Sequence, residues 1–144
     1  MNPAGNFDQH HSALERVLGD EGHRATLITQ KKPEKKAALV ARLVSEIGDD
    51  VAIQEDMLKA LIEMIATEGS AEVTDRGDAA LTILSDTALL PILKCHIPTV
   101  YNAYLSAVLN QNTANDPYTG SISRLLELGK IIIPFLRKHN HPIY

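Results

Sequence analysis

The sequence predicts an all-α fold, a compact bundle of about six short antiparallel helices. Apolar residues recur at spacings of three and four along most of the chain, and no segment shows the sustained alternation of a strand. Glycine and proline residues fall between the periodic segments, as they do between helices. A short α-solenoid of the armadillo or HEAT type is the alternative, because residues 75–111 read as a short helix, a helix and a longer helix.

The chain has 144 residues, of which 44% are hydrophobic and 22% charged. This length suits one domain of ordinary size, so we expect a single helical domain over residues 1–144 with flexible ends at 1–6 and 140–144. A single cysteine, Cys95, and an N-terminus without a secretory pattern predict a reducing, cytoplasmic location. The apolar neighbours of Cys95 predict a buried thiol, with His96 at the rim of the core.

The first half of the chain predicts four helices with recognisable starts and stops. The first covers about residues 7–18, and Asp20 caps a short second helix. Pro33 occupies the first turn of the third, where its missing N–H does no harm, and Gly48 ends that helix. The two aspartates after Gly48 start the fourth helix. With so short a connection, the third and fourth helices should pack as an antiparallel hairpin.

The second half predicts a short helix over residues 75–84 and two helices divided by prolines. Residues 86–96 form the first of these two, and Pro98 opens the other. The last helix runs over about residues 121–139. Gly129 in its apolar stripe should allow a neighbouring helix to approach closely, and Pro134 should bend it near its end.

The helix opened by Pro98 is predicted to be the central helix of the core, with a wide buried side. The apolar stretch 88–109, which includes part of this helix, has the length of a membrane span, but it carries Lys94, His96 and Asn102. A central lysine alone costs roughly 2.5–3.5 kcal/mol in a membrane helix, so no membrane span is predicted. The residues assigned to the buried side are Ile97, Val100, Tyr101, Tyr104, Leu105, Val108 and Leu109.

No motif in the sequence indicates catalysis. The six histidines lack the spacing of a zinc site, and there is no nucleophile elbow or glycine-rich phosphate loop. We therefore predict no catalytic residue, no metal and no cofactor. The favoured function is a non-catalytic helical module that binds another protein, associates with itself or serves as a subunit of a larger assembly.

The densest basic cluster is at the start of the third helix. It lacks the aromatic or arginine side chains that stack on or read bases, and the formal charge of the chain is −4. An acidic partner protein is therefore favoured over nucleic acid. The candidate partner-binding residues are Lys31, Lys32, Lys35, Lys36, Tyr118, Arg137 and Lys138.

A small helical ligand-binding protein or enzyme is the alternative function. It would use a pocket formed by Lys94, His96, Tyr101 and Tyr104. Such a pocket requires Lys94 or His96 to be buried with a shifted pKa.

Overall fold

The computed structural model describes residues 13–29, 33–67, 70–113 and 120–139, and all regular structure within these ranges is helical. The predicted all-α class is confirmed, whereas the choice of a bundle over a solenoid stays a prediction, as does the extent of the domain. The predicted flexible ends lie outside the described residues. The helices are α1 (13–18), α2 (Glu21–Ile28), α3 (Pro33–Ile47), α4 (Val51–Ala66), α5 (Ala71–Ser85), α6 (Leu90–Cys95), α7 (Ile97–Thr113) and α8 (Gly120–Lys138), with a 3-10 turn at Thr87–Leu89.

Side-chain caps determine where several of these helices start. Asp20 and Asp50 accept hydrogen bonds from backbone N–H groups three residues further on, at 3.0 and 3.1 Å. Both predicted caps are therefore confirmed. Helix α5 starts earlier than predicted because Ser70 caps it in the same way. Pro33 is the first residue of α3, as predicted.

Gly48 ends α3, as predicted, and does so in the left-handed conformation. Its φ is +70°, and its N–H donates to the carbonyl of Val44 at 3.0 Å. An added Cβ at Gly48 would meet no atom within 4 Å. The glycine is thus needed for its backbone conformation and not for space.

Replacing Gly48 with alanine should destabilise the fold by about 1–2 kcal/mol, the cost of holding an L-residue in the left-handed region. Gly48→Asn should cost less, because asparagine tolerates this region better. Urea denaturation of the three proteins measures both differences. Equal stability of the alanine and asparagine variants would contradict a purely conformational origin.

Helix α4 is the centre of the described core, because it packs against α5, α7 and α8 and buries more of the described side chains than any other helix. Helix α7 is not, so the prediction that it is the central helix with a wide buried side was wrong. Of the α7 side chains that the structure describes, those of Val100 and Ala107 are buried, while Leu105 and Leu109 are 38% and 53% exposed. The buried side chains of α4 are Ile53, Met57, Leu58, Leu61, Ile62 and Ile65.

The predicted hairpin of α3 and α4 was also wrong. Among the described residues, helix α3 packs against α2 and the 3-10 turn, and its contacts with α4 are too few for a hairpin. The connection combines a left-handed Gly48 with an extended Asp50. This geometry turns the chain without laying α4 back along α3.

A charged cluster joins α1, α2 and α5. Arg24 is only 6% exposed, and its Nη1 donates to the carbonyl of Leu18 at the end of α1, at 2.9 Å. Its Nη2 lies 3.8 Å from Oε1 of Glu72, and Arg76 pairs with Glu15 across α5 and α1. Arg24 thus satisfies a terminal carbonyl of α1 and fixes that helix against α2.

An ion pair between Arg16 and Glu46 joins α1 to α3, with Nη2 and Oε2 2.7 Å apart. The hydrogen bond from the Arg16 guanidinium lowers the pKa of Glu46. Because the folded pKa is below the unfolded value, the pair contributes fully above about pH 4.3. That contribution is lost as the pH falls through the folded pKa.

The free energy of unfolding should therefore fall on acidification below about pH 4.3, and Glu46→Gln should remove part of that decrease. Urea denaturation between about pH 3 and pH 7 checks this. In an Arg16→Gln background, which lacks the ion pair, Glu46→Gln is the control and should change the profile less. An unchanged acid profile for Glu46→Gln would contradict the prediction.

Candidate functional site

The four residues of the predicted pocket differ in their burial and contacts. Lys94 is exposed, and Tyr101 is half-buried. His96 is buried at 5% exposure and is held by Gln54. Tyr104 lines a groove between α7 and α8 that includes none of the other three. A pocket shared by all four residues stays a prediction.

His96 connects the junction of α6 and α7 to the start of α4. Gln54 Nε2 donates to the carbonyl of Gly48 at 2.9 Å, so its Oε1 is left to accept from His96 Nε2, also at 2.9 Å. The next residue of α4, Glu55, accepts a hydrogen bond from Thr99 Oγ1 at 3.0 Å. Two consecutive α4 side chains therefore fix the first turn of α7. Gln54 could not be predicted from the sequence, because an isolated glutamine carries no motif.

Cys95 and His96 have the opposite burial from the one predicted. The thiol of Cys95 is exposed, whereas the imidazole of His96 is buried. Helix α6 ends at Cys95, and His96 has φ −131° and ψ 40°. The helical spacing is broken at this point, so it no longer determines which side chain faces the core.

The predicted partner-binding residues lie at two separate places. Lys35 is exposed and Lys36 half-buried on the first turn of α3, while Arg137 and Lys138 are exposed at the end of α8. Lys31, Lys32 and Tyr118 lie outside the described residues. Their role in binding stays a prediction.

A cavity of about 830 Å³ lies between α4 and α7. Ile62, Ala103 and Ala107 supply its apolar part, and Lys59 and Glu63 are two of its charged lining residues. Its size is within the range of small-molecule pockets.

A second groove, of about 560 Å³, lies between α7 and α8. Its floor is formed where Tyr104 meets Gly129: an added Cβ on Gly129 would lie 2.7 Å from the Tyr104 hydroxyl oxygen. The predicted close approach at Gly129 is therefore confirmed. Leu126, Ile133 and Pro134 supply its other apolar lining. Pro134 lies inside α8, which continues to Lys138, and the predicted bend stays a prediction.

The contact between Tyr104 and Gly129 should make substitutions there non-additive. Gly129→Ala alone should change stability little, because the gain in helix propensity of about 1 kcal/mol is offset by displacement of the tyrosine. In a Tyr104→Phe background the nearest atom would be Cζ, at 3.6 Å, so the same substitution should stabilise by about 0.5–1 kcal/mol. A double-mutant cycle in urea measures this difference, and additive effects would contradict it.

Helix α7 has 17 residues and no charged side chain, whereas each of the other helices longer than ten residues carries four or five. Its outward side carries the exposed Leu105 and Leu109, one helical turn apart. We call these two leucines the α7 crest.

Two searches of the described residues were negative. Within the described ranges, no three side chains of histidine, cysteine, aspartate or glutamate lie together in a way that could hold a metal ion. None of the helices in the described part of the chain is long and apolar enough to cross a bilayer.

Comparisons of the chain with protein-family models, with curated proteins and with solved structures found no match.

Proposed function

We propose that this chain is a non-catalytic helical interaction module, which binds another protein or serves as a subunit of a larger assembly. The α7 crest is the observation that carries the proposal. Burying large apolar side chains contributes roughly 1.5–3 kcal/mol each, and Leu105 and Leu109 leave a large part of that contribution unused. A partner that covers these two leucines would gain the remaining free energy of burial.

The groove between α7 and α8 is a second surface with apolar lining residues. Tyr104 and Leu126 line it, and a tyrosine with one polar end is common at interfaces. Lys138 and Arg137, further along α8, offer contacts to an acidic partner. The cytoplasmic location predicted from the sequence belongs to the same proposal.

Affinity capture from the native source with three forms of the protein tests this function. The forms are the wild type, Leu105→Lys and the control Ile28→Lys. Ile28 is a matched position, because it is 40% exposed against 38% for Leu105 and lies on α2, away from α7. We expect a protein that the wild type and Ile28→Lys retain and Leu105→Lys loses. Equal retention by all three forms, or no retained protein, would contradict the proposal.

Ligand binding in the cavity between α4 and α7 is the second candidate function. Neither Lys59 nor Glu63 forms a side-chain ion pair with another described residue, so both charges are free to bind a ligand beside the apolar floor. A fragment screen by ligand-observed NMR tests it. Fragments that bind the wild type should not bind Ala103→Leu, which fills the floor, and fragments that bind both would contradict this site.

A further inference from the structure

We infer that the cavity between α4 and α7 binds a small zwitterion, a molecule in which an apolar body joins an ammonium group to a carboxylate. The inference rests on the second candidate function, ligand binding in this cavity, and names the chemical class of the ligand. Three features of the lining support it: the order of the charges on its α4 side, the apolar floor, and the neutral polar side chains of α7.

Three charged side chains line the α4 side of the cavity, and they alternate in sign. Glu55, Lys59 and Glu63 follow one another one helical turn apart, with about 6 Å between successive Cβ atoms. Within the described part of the chain, neither glutamate forms a side-chain ion pair with Lys59. The α4 side therefore presents a cation and, one turn further along, an anion to a molecule in the cavity.

Thr99 explains why Lys59 lacks the ion pair that the sequence favours. A glutamate four residues before a lysine is the favourable order for a pair on a helix. The Glu55 carboxylate instead accepts a hydrogen bond from Thr99 Oγ1 at 3.0 Å, which holds it toward α7. Lys59 and Glu63 are both exposed, so a ligand reaches their charged groups from solvent.

The floor between the two helices is apolar, and side chains do not fill the space beside it. Ile62, with 1% exposure, and Ala107, with 8%, form the floor together with Ala103. None of the side chains that α7 contributes is larger than that of asparagine. The open volume of about 830 Å³ suits a small molecule, whose apolar body gains free energy when the floor covers it.

A zwitterion satisfies this lining better than a ligand with a single charge. A carboxylate that pairs with Lys59 alone lies between two glutamates. An ammonium group that pairs with Glu63 alone leaves Lys59 partly covered and unpaired, and covering a charge without pairing it is unfavourable. A molecule with both groups pairs with both side chains. Asn102 and Ser106, exposed on the α7 side, offer hydrogen bonds to either end.

The expected affinity is low, because both charged side chains are exposed. An exposed ion pair contributes little, and each atom of a small ligand contributes a limited free energy. The probe is ε-aminocaproate, which carries its two charges at opposite ends of a short alkyl chain, and we expect a Kd between about 1 and 10 mM. Hexylammonium and hexanoate, which each keep one charge, should bind about three- to fivefold more weakly.

Titration of isotope-labelled protein, followed by amide chemical shifts, measures each affinity and locates the site. The amides of the cavity lining should shift and saturate at probe concentrations up to about 50 mM. Ala103→Leu, which fills the floor, should abolish these shifts. Lys59→Met should make ε-aminocaproate bind no better than hexylammonium, and Glu63→Gln should make it bind no better than hexanoate.

Glu127 and Lys130 on α8 provide the matched controls. They form an exposed ion pair at 3.0 Å and line the other groove. Glu127→Gln and Lys130→Met remove the same charges from the chain as the two variants of the cavity do, and they should leave all three affinities unchanged. All four substitutions are at exposed positions and should keep the wild-type urea midpoint.

The outcomes separate the inference from the candidate function on which it rests. Equal binding of ε-aminocaproate and hexylammonium, an affinity that Lys59→Met and Glu63→Gln leave unchanged, or no shifts in the cavity lining up to about 50 mM probe would each overturn the zwitterion. If fragments of another class still bind the wild type and not Ala103→Leu, the cavity is a ligand site of different chemistry. If no fragment binding depends on Ala103, both are wrong, and affinity capture tests the interaction module independently.

Discussion

Replacing Leu61 with alanine should lower the free energy of unfolding by about 2–5 kcal/mol. Leu61 has no exposed surface and belongs to α4, whose neighbours are α5, α7 and α8. Truncation removes apolar contacts and leaves a cavity that the surrounding helices fill only in part. Because a domain of this size is stable by only about 5–15 kcal/mol, the loss is a large fraction of the total. Urea denaturation followed by circular dichroism measures it.

The same substitution at Leu105 is the matched control, because residue type and change in volume are identical. Leu105 lies on α7 and is partly exposed, so Leu105→Ala should cost about 0.5 kcal/mol or less. If Leu61→Ala does not fold, Ile62→Val on the same helix should cost about 0.5–1.5 kcal/mol. A loss at Leu105 as large as that at Leu61 would contradict the central position of α4.

Local chemistry explains which parts of the fold the sequence predicts. A capping carboxylate acts on N–H groups three residues away, and both Asp20 and Asp50 form the bonds expected of them. A left-handed glycine and a first-turn proline act on their own backbone, so Gly48 and Pro33 are also where expected. The close approach at Gly129 is predicted for a related reason, because a residue without a side chain leaves room for a neighbouring helix.

Burial depends on neighbours that are distant in sequence, and this is where prediction from the sequence failed. Helix α7 is apolar on most sides and uncharged. Its sequence pattern therefore shows which side chains could be buried, but not which of them the other helices cover. Helix α4 has four charged residues, yet it packs against three other helices and buries six of its side chains. The prediction that Cys95 is buried and His96 lies at the rim of the core failed because the chain changes direction between α6 and α7.

Residues of the candidate surface could be named from the sequence, but the contacts that they make could not. Tyr104 was assigned to a pocket with Lys94, yet the structure places it over Gly129 on α8. The register of α7 against α8 makes that contact, and no local signal encodes the register. Arg24 was missed for a similar reason, since its partners lie on α1 and α5.

Removing the amide of Gln54 should destabilise the fold by about 1–3 kcal/mol, the cost of leaving a buried polar group without its partner. The amide connects two groups: its nitrogen donates to Gly48 and its oxygen accepts from His96. His96 is buried, so its N–H has no ready access to water once the acceptor is lost. Gln54→Met keeps the shape of the side chain and removes both bonds, and urea denaturation measures the loss.

A double-mutant cycle with His96→Leu isolates the contribution of the pair. Replacing both partners by apolar side chains leaves no unsatisfied imidazole, so Gln54→Met with His96→Leu should cost less than the sum of the two single variants. We expect a coupling energy of about 1 kcal/mol or more. Additive effects would mean that the two side chains do not depend on each other. The link between α4 and the first turn of α7 would then come from Glu55 and Thr99 alone, and Thr99→Val would become the substitution with the larger cost.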